Sequence, residues 1–393
     1  MFNNMSDMKL TYLLFFVLSA TRLVLAVVIA AISSLVAVRW SMDAARRNKV
    51  LALPGRRMSH TTPTPRLGGL GIAVGLLMVI VIAPAWITMR PSLWLAALFL
   101  GGGLAFGGGL LDDILDLPAR FKALFQVGAA ASVAVAGVWP PEISLPPDII
   151  AQLGPVWGPA INTALGAIFA FAFVMFVMNA VNFMDGMDGH AGQYAMFVTF
   201  TMLFLWLLDT IVYITPEHLL LAGLLGGLIG LNHYNHPGRK GPQKTFMGDC
   251  GSQFIGFVLA VLMLRARQVQ MDDKLPMAVL FILLLPFAWD VVYTIIRRAA
   301  RRENLFQAHR SHLYQRLLVC GYSHSESLGA SKATWVILFV LAIMFPIAQQ
   351  KFGTAGAQLS VLGALLTMSL YTLHVLAVER RRNASSETDT PTG

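Results

Sequence analysis

FAFVMFVMNAVNFMDGMDG, Phe171 to Gly189, passes from membrane-compatible residues into Asn182, Asp185 and Asp188 at three-residue spacing, with Gly186 and Gly189 among them. A carboxylate at a bilayer centre costs roughly 2.5–3.5 kcal/mol on insertion scales, so acids in or beside a spanning helix are functional candidates. A helix cap followed by a polar loop would produce the same letters, and the rest of the chain has to decide between the two readings.

The composition places that stretch in a membrane. Of 393 residues, 56% are hydrophobic and only 12% charged, and the mean hydropathy is +0.66. A water-soluble protein of this length carries about 25% charged residues. The N-terminal segment is a poor fit to a cleavable signal, because its apolar stretch is too long and no small-x-small site follows it; it is expected to be an uncleaved first span. Cys250 and Cys320 both fall in segments placed at the cytoplasm, with no partner at metal-ligand spacing, so no disulfide is expected. The net charge of +9 is ascribed to the positive-inside bias of membrane proteins, not to nucleic-acid binding.

Apolar runs of about 20 residues occur near residues 12–38, 67–89, 92–111, 119–138, 160–181, 190–208, 217–234, 253–266, 276–296, 333–349 and 356–378. The fold class expected is therefore all-α, a polytopic membrane helix bundle of about eleven transmembrane helices. Arg39, Arg46, Arg47, Lys49, Arg56, Arg57 and Arg66 follow the first run. Arg297, Arg298, Arg301, Arg302, Arg310, Arg316 and Lys332 follow the ninth, and Arg380 to Arg382 follow the last. The alternate loops carry few basic residues, with none in 139–158. This asymmetry puts the N-terminus outside and the C-terminus in the cytoplasm, which requires an odd number of spans. Residues 1–380 read as one integral-membrane domain and 381–393 as a disordered polar tail. The proline-rich 139–158 reads as an outside connector.

With that topology, five polar clusters fall on the cytoplasmic side. Asp112, Asp113 and Asp116 close the third run in LLDDILD. Asp112 and Asp116 share a helix face, Asp113 points roughly 100° away, and Lys122 follows as a candidate counter-cation. Asn182, Asp185 and Asp188 offer the oxygen ligands that suit Mg²⁺ together with substrate phosphates, and Gly186 lets a ligand approach the backbone. In FMGDCGS, Phe246 to Ser252, Asp249 stands at a new helix N-terminus, where free amides attract phosphate. His309, Arg310 and His312, with Tyr314 and Arg316 near, form an oxyanion-binding set. PTPRLGG, Pro63 to Gly69, combines a turn with glycines for close approach. Each cluster alone is explained by caps and loops. Five together on one side describe a cytoplasmic site for a phosphate-bearing substrate and a metal, reached from the lipid.

PTPRLGGL, LLDDILD, NAVNFMDGMDG, FMGDCGS and AHRSHLYQRL, in this order between residues 54 and 317, resemble the polyprenyl-phosphate N-acetylhexosamine-1-phosphate transferases. That family includes the peptidoglycan translocase and the enzymes that start O-antigen, common-antigen and teichoic acid synthesis. The resemblance implies transfer of an N-acetylhexosamine 1-phosphate from a UDP-N-acetyl sugar to undecaprenyl phosphate, in the bacterial inner membrane, with Mg²⁺ (Mn²⁺ as a substitute) and release of UMP. It implies Asp249 as principal metal ligand with Asn182 as second, Asp112 and Asp113 beside the lipid phosphate, and Lys122 on a phosphate. It further implies Asp188 and Phe246 at the uracil, Asp185 and Gly186 in the nucleotide pocket, and His309, Arg310 and His312 in the sugar and diphosphate loop. Asn235 is a uridine contact on the same grounds, although HPGRKGPQKT separates it from Phe246 by more than the family's usual link. A homodimer is compatible with the family, and no nucleic acid is expected.

The loop HRSHLYQR lacks the His triplet of the peptidoglycan translocase and resembles the O-antigen initiators, which can use 6-deoxy sugars such as N-acetylfucosamine or N-acetylquinovosamine. The alternatives kept open are the phospho-MurNAc-pentapeptide transferase of peptidoglycan synthesis and, more distantly, an ion-coupled secondary transporter built around Asp290. Transporters place charge near the bilayer midplane and usually carry repeats; neither pattern is visible here.

Overall fold

The computed structural model describes residues 5–53, 62–88, 90–210, 214–239, 241–269, 276–304 and 310–388. In chain order its helices are α1 (Met5–Arg47), α2 (Gly69–Ile82), α3 (Leu93–Leu115), α4 (Ala119–Val135), α5 (Pro147–Gln152), α6 (Gly154–Met184), α7 (His190–Thr210), α8 (Pro216–Asn232), α9 (Gly248–Val269), α10 (Met277–Ala300), α11 (Leu313–Val319) and α12 (His324–Thr388). Among the described residues the strands are β1 (Leu51–Ala52) and β2 (Thr64–Pro65), paired antiparallel with Leu51 opposite Pro65. The protein is an all-α, multi-pass membrane protein. A helix satisfies all its backbone hydrogen bonds within itself, which a hydrocarbon solvent demands.

Each apolar run read from sequence has a helix at its centre among the described residues. The last two share α12, whose backbone leaves helical geometry at Gly353 (φ 60°, ψ −144°). Among the described residues seven helices, α12 counted once, are long and apolar enough to cross a membrane, and Gly69–Ala85 is a shorter apolar helix. The connector 139–158 contains more helix than expected. Pro147 occupies the first turn of α5 with Asp148 beside it, and α6 starts at Gly154. A proline there costs no hydrogen bond, since the first-turn amides have no intrahelical partner, and the acid suits the helix dipole. Helical backbone in α12 continues to Thr388, into the polar stretch expected to be a disordered tail.

The chain forms two compact units. The first comprises Met1–Leu53, Pro63–Asp185 and Ala191–Leu275. Its centre is α9, buried without a break from Cys250 to Leu264, with α2, α3, α4, α6 and α8 packed on it. Apolar surface gives little drive for helices to associate within lipid, so close backbone packing at small residues does that work. Here α2 meets α9 at Gly69 against Gly251, α3 meets it at Gly109 against the Asp249 carbonyl, and α9 meets α6 at Gly256 against Met178. A Cβ on Gly256 would stand 2.6 Å from the Met178 Cα. Gly256→Ala is therefore expected to destabilise the unit by about 1–3 kcal/mol, the usual range for overpacking. An unchanged unfolding temperature in detergent would contradict that close approach. At the far end of α9, Arg265 bonds Glu217 at 2.9 Å and lies over the Trp94 ring, while Arg267 pairs with Glu142. Arg265 and Arg267, two of the basic residues on the sparsely basic side, are thus paired.

The second unit comprises Pro54–Thr62, Gly186–His190 and Pro276–Gly393. In it α10 and α11 pack on α12. Leu313, Leu317 and Val375 form a buried cluster flanked by Trp289, Tyr293 and Tyr371.

Candidate active site

LLDDILD divides its three acids among three tasks. Asp112 Oδ1 accepts the Leu117 N–H at 2.8 Å, and its Oδ2 is ion-paired with Lys122 of α4. Asp113, about 100° round the helix, turns to α9 instead. Its Oδ1 and Oδ2 accept the backbone N–H groups of Asp249 and Cys250 at 3.0 and 2.9 Å. It therefore caps α9 from another helix, and Gly109, one turn earlier, lets α3 come that close. Asp116 ends α3 in the left-handed conformation (φ 46°) and pairs with Arg66 at 3.0 Å. Asp113→Ala should cost about 1–2 kcal/mol, as at other caps, with Asp113→Asn intermediate because one acceptor oxygen remains. Equal unfolding temperatures for wild type and Asp113→Ala would refute the capping role.

Lys122 Nζ also reaches Asp249 Oδ2 at 3.2 Å, so a single ammonium bridges Asp112 and Asp249. The other oxygen of Asp249 accepts Asn182 Nδ2 at 3.1 Å, and that nitrogen also donates to Ser252 Oγ at 2.9 Å. Four residues singled out in the sequence, from α3, α4, α6 and α9, thus converge. The Lys122 and Asp249 side chains are 38% and 28% exposed, so a solute can reach them.

Asn235 and Phe246 belong to an adjoining main-chain clamp. Asn235 Nδ2 donates to the Thr245 carbonyl at 2.8 Å. The Phe246 N–H donates to Pro65 O at 2.8 Å, while Phe246 O and Met247 O accept the Gly68 and Gly69 amides at 3.0 and 2.8 Å. Lys244 Nζ lies 5.2 Å from the Phe246 ring centroid. The clamp turns through Gly248 (φ +76°), where any Cβ would strike the Arg66 carbonyl. PTPRLGG, weak as a motif by itself, is therefore the strap that seats the N-terminus of α9. Asp185 closes α6, its N–H donating to Asn182 O at 3.2 Å.

The remaining predicted residues lie in the second unit. Asp188 Oδ2 is 3.1 Å from His324 Nδ1. A Cβ on Gly186 would meet the Tyr314 hydroxyl and stand 2.6 Å from Gln315 Nε2. His312 Nδ1 is 3.4 Å from Asp290 Oδ2, and Asp290 Oδ1 accepts the Leu313 N–H at 2.7 Å. The buried acid that a transporter would use is thus engaged in holding His312 and the start of α11 onto α10. Arg310 lines a cavity of about 260 Å³ with Gly186, Gln315, Tyr322 and His324. Arg316, grouped with the oxyanion set in the sequence, is instead bonded to Glu379 at 2.5 Å. His309 lies outside the described residues.

Several participants were not singled out in the sequence. Gln126, Asn179 and Gln253 join α4, α6 and α9 by amide hydrogen bonds. Each stands three or four residues from Lys122, Asn182 or Asp249, a spacing that would have placed them on the same helix faces. Gln315 stands inside the HRSHLYQR loop, whereas Tyr322 and His324 had no comparable signal.

The donor set fits a divalent cation. Two carboxylates, Asp112 and Asp249, face one ammonium, with Lys122 in the cation position between them, while Asp113 is engaged by the α9 backbone. Among the described residues no three His, Cys, Asp or Glu side chains are grouped so as to cage a metal unaided. Mg²⁺ takes one or two carboxylates and completes its shell with water and substrate phosphates, and Asp112 and Asp249 supply carboxylates in that number. As oriented here, Asn182 directs an N–H to Asp249, so it orients that carboxylate.

Residues 94–267, which hold this cluster, match the family model described as glycosyl transferase family 4. The chain is 27% identical over 380 residues to the decaprenyl-phosphate N-acetylglucosaminephosphotransferase of Mycolicibacterium smegmatis, covering 91% of this chain and 89% of that one. It is 24% identical over 316 residues to the probable undecaprenyl-phosphate N-acetylglucosaminyl 1-phosphate transferase of Bacillus subtilis, covering 78% of each. It is 26% identical over 294 residues to the undecaprenyl-phosphate alpha-N-acetylglucosaminyl 1-phosphate transferase of Escherichia coli K12, covering 73% of this chain and 74% of that one. The matched segment carries Asp112, Asp113, Lys122, Asn182 and Asp249 in the order and setting just described, and over that segment the chain is similar to glycosyl transferase family 4.

Proposed function

We propose that the protein transfers an N-acetylhexosamine 1-phosphate from a UDP-sugar to a polyprenyl phosphate and releases UMP. The reaction would take place at the cytoplasmic face of a bacterial plasma membrane and start a lipid-linked polysaccharide. The observation that carries this reading is the bridge Asp112–Lys122–Asp249 at converging helix ends. The relatives' names supply the polyprenyl phosphate and the N-acetylglucosamine 1-phosphate group. The asymmetry of basic residues supports the cytoplasmic side.

A phosphate monoester is already anionic near neutral pH, so the nucleophile needs little deprotonation. Positioning and charge neutralisation dominate phosphoryl transfers. Lys122 is assigned to neutralise phosphate, with Asp112 holding it in place. Asp249 is the residue assigned to Mg²⁺, and Asn182 and Ser252 orient its carboxylate. When bound, the metal would supply charge stabilisation to the diphosphate. Asp113 is assigned to fix the α9 N-terminus, where backbone amides favour an anion, and Asp112 takes the reacting side of the acidic pair. Asp185, Gly186, Asp188, Asn235 and Phe246 keep the nucleotide assignment, and Arg310 and His312 the sugar and diphosphate assignment.

The test is UMP release by purified protein from a panel of UDP-GlcNAc, UDP-6-deoxy-N-acetylhexosamines and UDP-MurNAc-pentapeptide. Release is expected only when polyprenyl phosphate and Mg²⁺ are both present, and with a donor other than the pentapeptide. No release from any donor would sink the reading.

A further inference from the structure

We propose that Gln126, Asn179 and Gln253 form a positioning layer that sets Lys122, Asn182 and Asp249 for transfer, an inference that rests on the function proposed above. Two rungs cross the same three helices. Lys122 and Gln126 lie four apart on α4, Asn182 and Asn179 three apart on α6, and Asp249 and Gln253 four apart on α9, so each pair shares a helix face. The outer rung carries charge and is partly exposed. The inner rung is neutral, with Gln126 and Gln253 buried.

The inner rung is a directional network. Gln126 Nε2 donates to Gln253 Oε1 at 2.9 Å and to Asn179 Oδ1 at 3.3 Å, using both its hydrogens. Gln126 Oε1 accepts Asn179 Nδ2 at 3.3 Å, and that nitrogen also donates to Met175 O at 2.8 Å. Apolar side chains in lipid would let three helices slide or rotate at little cost. Paired amides in a low dielectric do not, because each broken bond leaves a buried polar group unmatched. Gln126 and Gln253 line the same small pocket as Asp112, Lys122 and Asp249, so the amides form the floor beneath the charged set. A turn of α4 relative to α9 that breaks Gln126–Gln253 also carries Lys122 away from Asp249. Displacements of about 1 Å cost up to about a hundredfold in rate.

The experiment must separate positioning from plain stability. Gln126→Met alone strands two amides and should lower both the unfolding temperature and kcat. The triple variant Gln126→Met, Asn179→Leu, Gln253→Met strands none, and replacing every partner with apolar groups of similar shape can be neutral for stability. We expect the triple variant to unfold near the wild-type temperature. Its kcat should nevertheless be down about tenfold to a hundredfold, with donor KM little changed. If the triple variant does not fold, the double variant Gln126→Met, Gln253→Met, which leaves Asn179 its bond to Met175, is read the same way. Wild-type kcat in a folded triple or double variant would overturn the proposal, as would kcat and stability recovering together. The rate at which acetic anhydride labels Lys122, read by mass spectrometry, reports its placement without turnover. It should rise severalfold in the variants, and an unchanged rate would count against the layer. Absence of UMP release from wild type would instead sink the transfer reading, and the labelling rates would still decide the layer.

Discussion

Asp249→Asn is expected to lower UMP release by about a thousandfold while leaving the unfolding temperature close to wild type. The substitution keeps the shape of the side chain, and the main chain at 249 stays capped, because Asp113 accepts backbone amides and not the Asp249 side chain. What is lost is the charge facing Lys122 and the one carboxylate that Asn182 orients. Losing a metal's charge stabilisation costs several kcal/mol, and each 1.4 kcal/mol is about tenfold in rate. The measurement is kcat over a Mg²⁺ titration. Wild-type kcat at saturating Mg²⁺ would remove Asp249 from the metal role.

Lys122→Met is expected to have the next largest effect, a fall in kcat of about 10²–10³-fold, as for loss of one preorganised electrostatic group. It leaves Asp112 and Asp249 at the helix junction with no ammonium between them. Like charges so placed oppose one another's ionisation. The variant should therefore also lose stability at neutral pH and regain part of it when Mg²⁺ is added. Lys122→Arg keeps the charge but replaces a compact ammonium with a wide planar fork, so it should recover stability more fully than rate. Full activity in Lys122→Met, or stability indifferent to Mg²⁺, would mean that the bridge is incidental to catalysis.

The fold was largely legible from hydropathy, because lipid punishes unpaired backbone and leaves helices as the solution for long apolar runs. The bundle's internal order was not. Gly69, Gly109 and Gly256 are only small residues in an apolar string until their facing partners Gly251, Asp249 and Met178 are known. The site was legible in its residues more than in their tasks. The 100° offset between Asp112 and Asp113 is readable from sequence. That one faces Lys122, ten positions on, depends on how α4 packs against α3, and that the other caps α9 depends on packing between segments more than a hundred residues apart. Arg316 looked like a phosphate ligand because basic loops resemble anion sites, and its partner Glu379 lies 63 positions away. Gln126, Asn179 and Gln253 were overlooked because amides in spans carry no charge to draw notice, although their spacing from Lys122, Asn182 and Asp249 was in plain view.

The most direct test follows the donor's phosphates separately. UDP-GlcNAc labelled at the β-phosphate is incubated with purified protein, Mg²⁺ and polyprenyl phosphate, and lipid and nucleotide products are separated. The proposed reaction puts the β-label in the lipid with the sugar and leaves UMP as the nucleotide product. Label remaining with the nucleotide as UDP, or no lipid product from this donor or its 6-deoxy relatives, would contradict it.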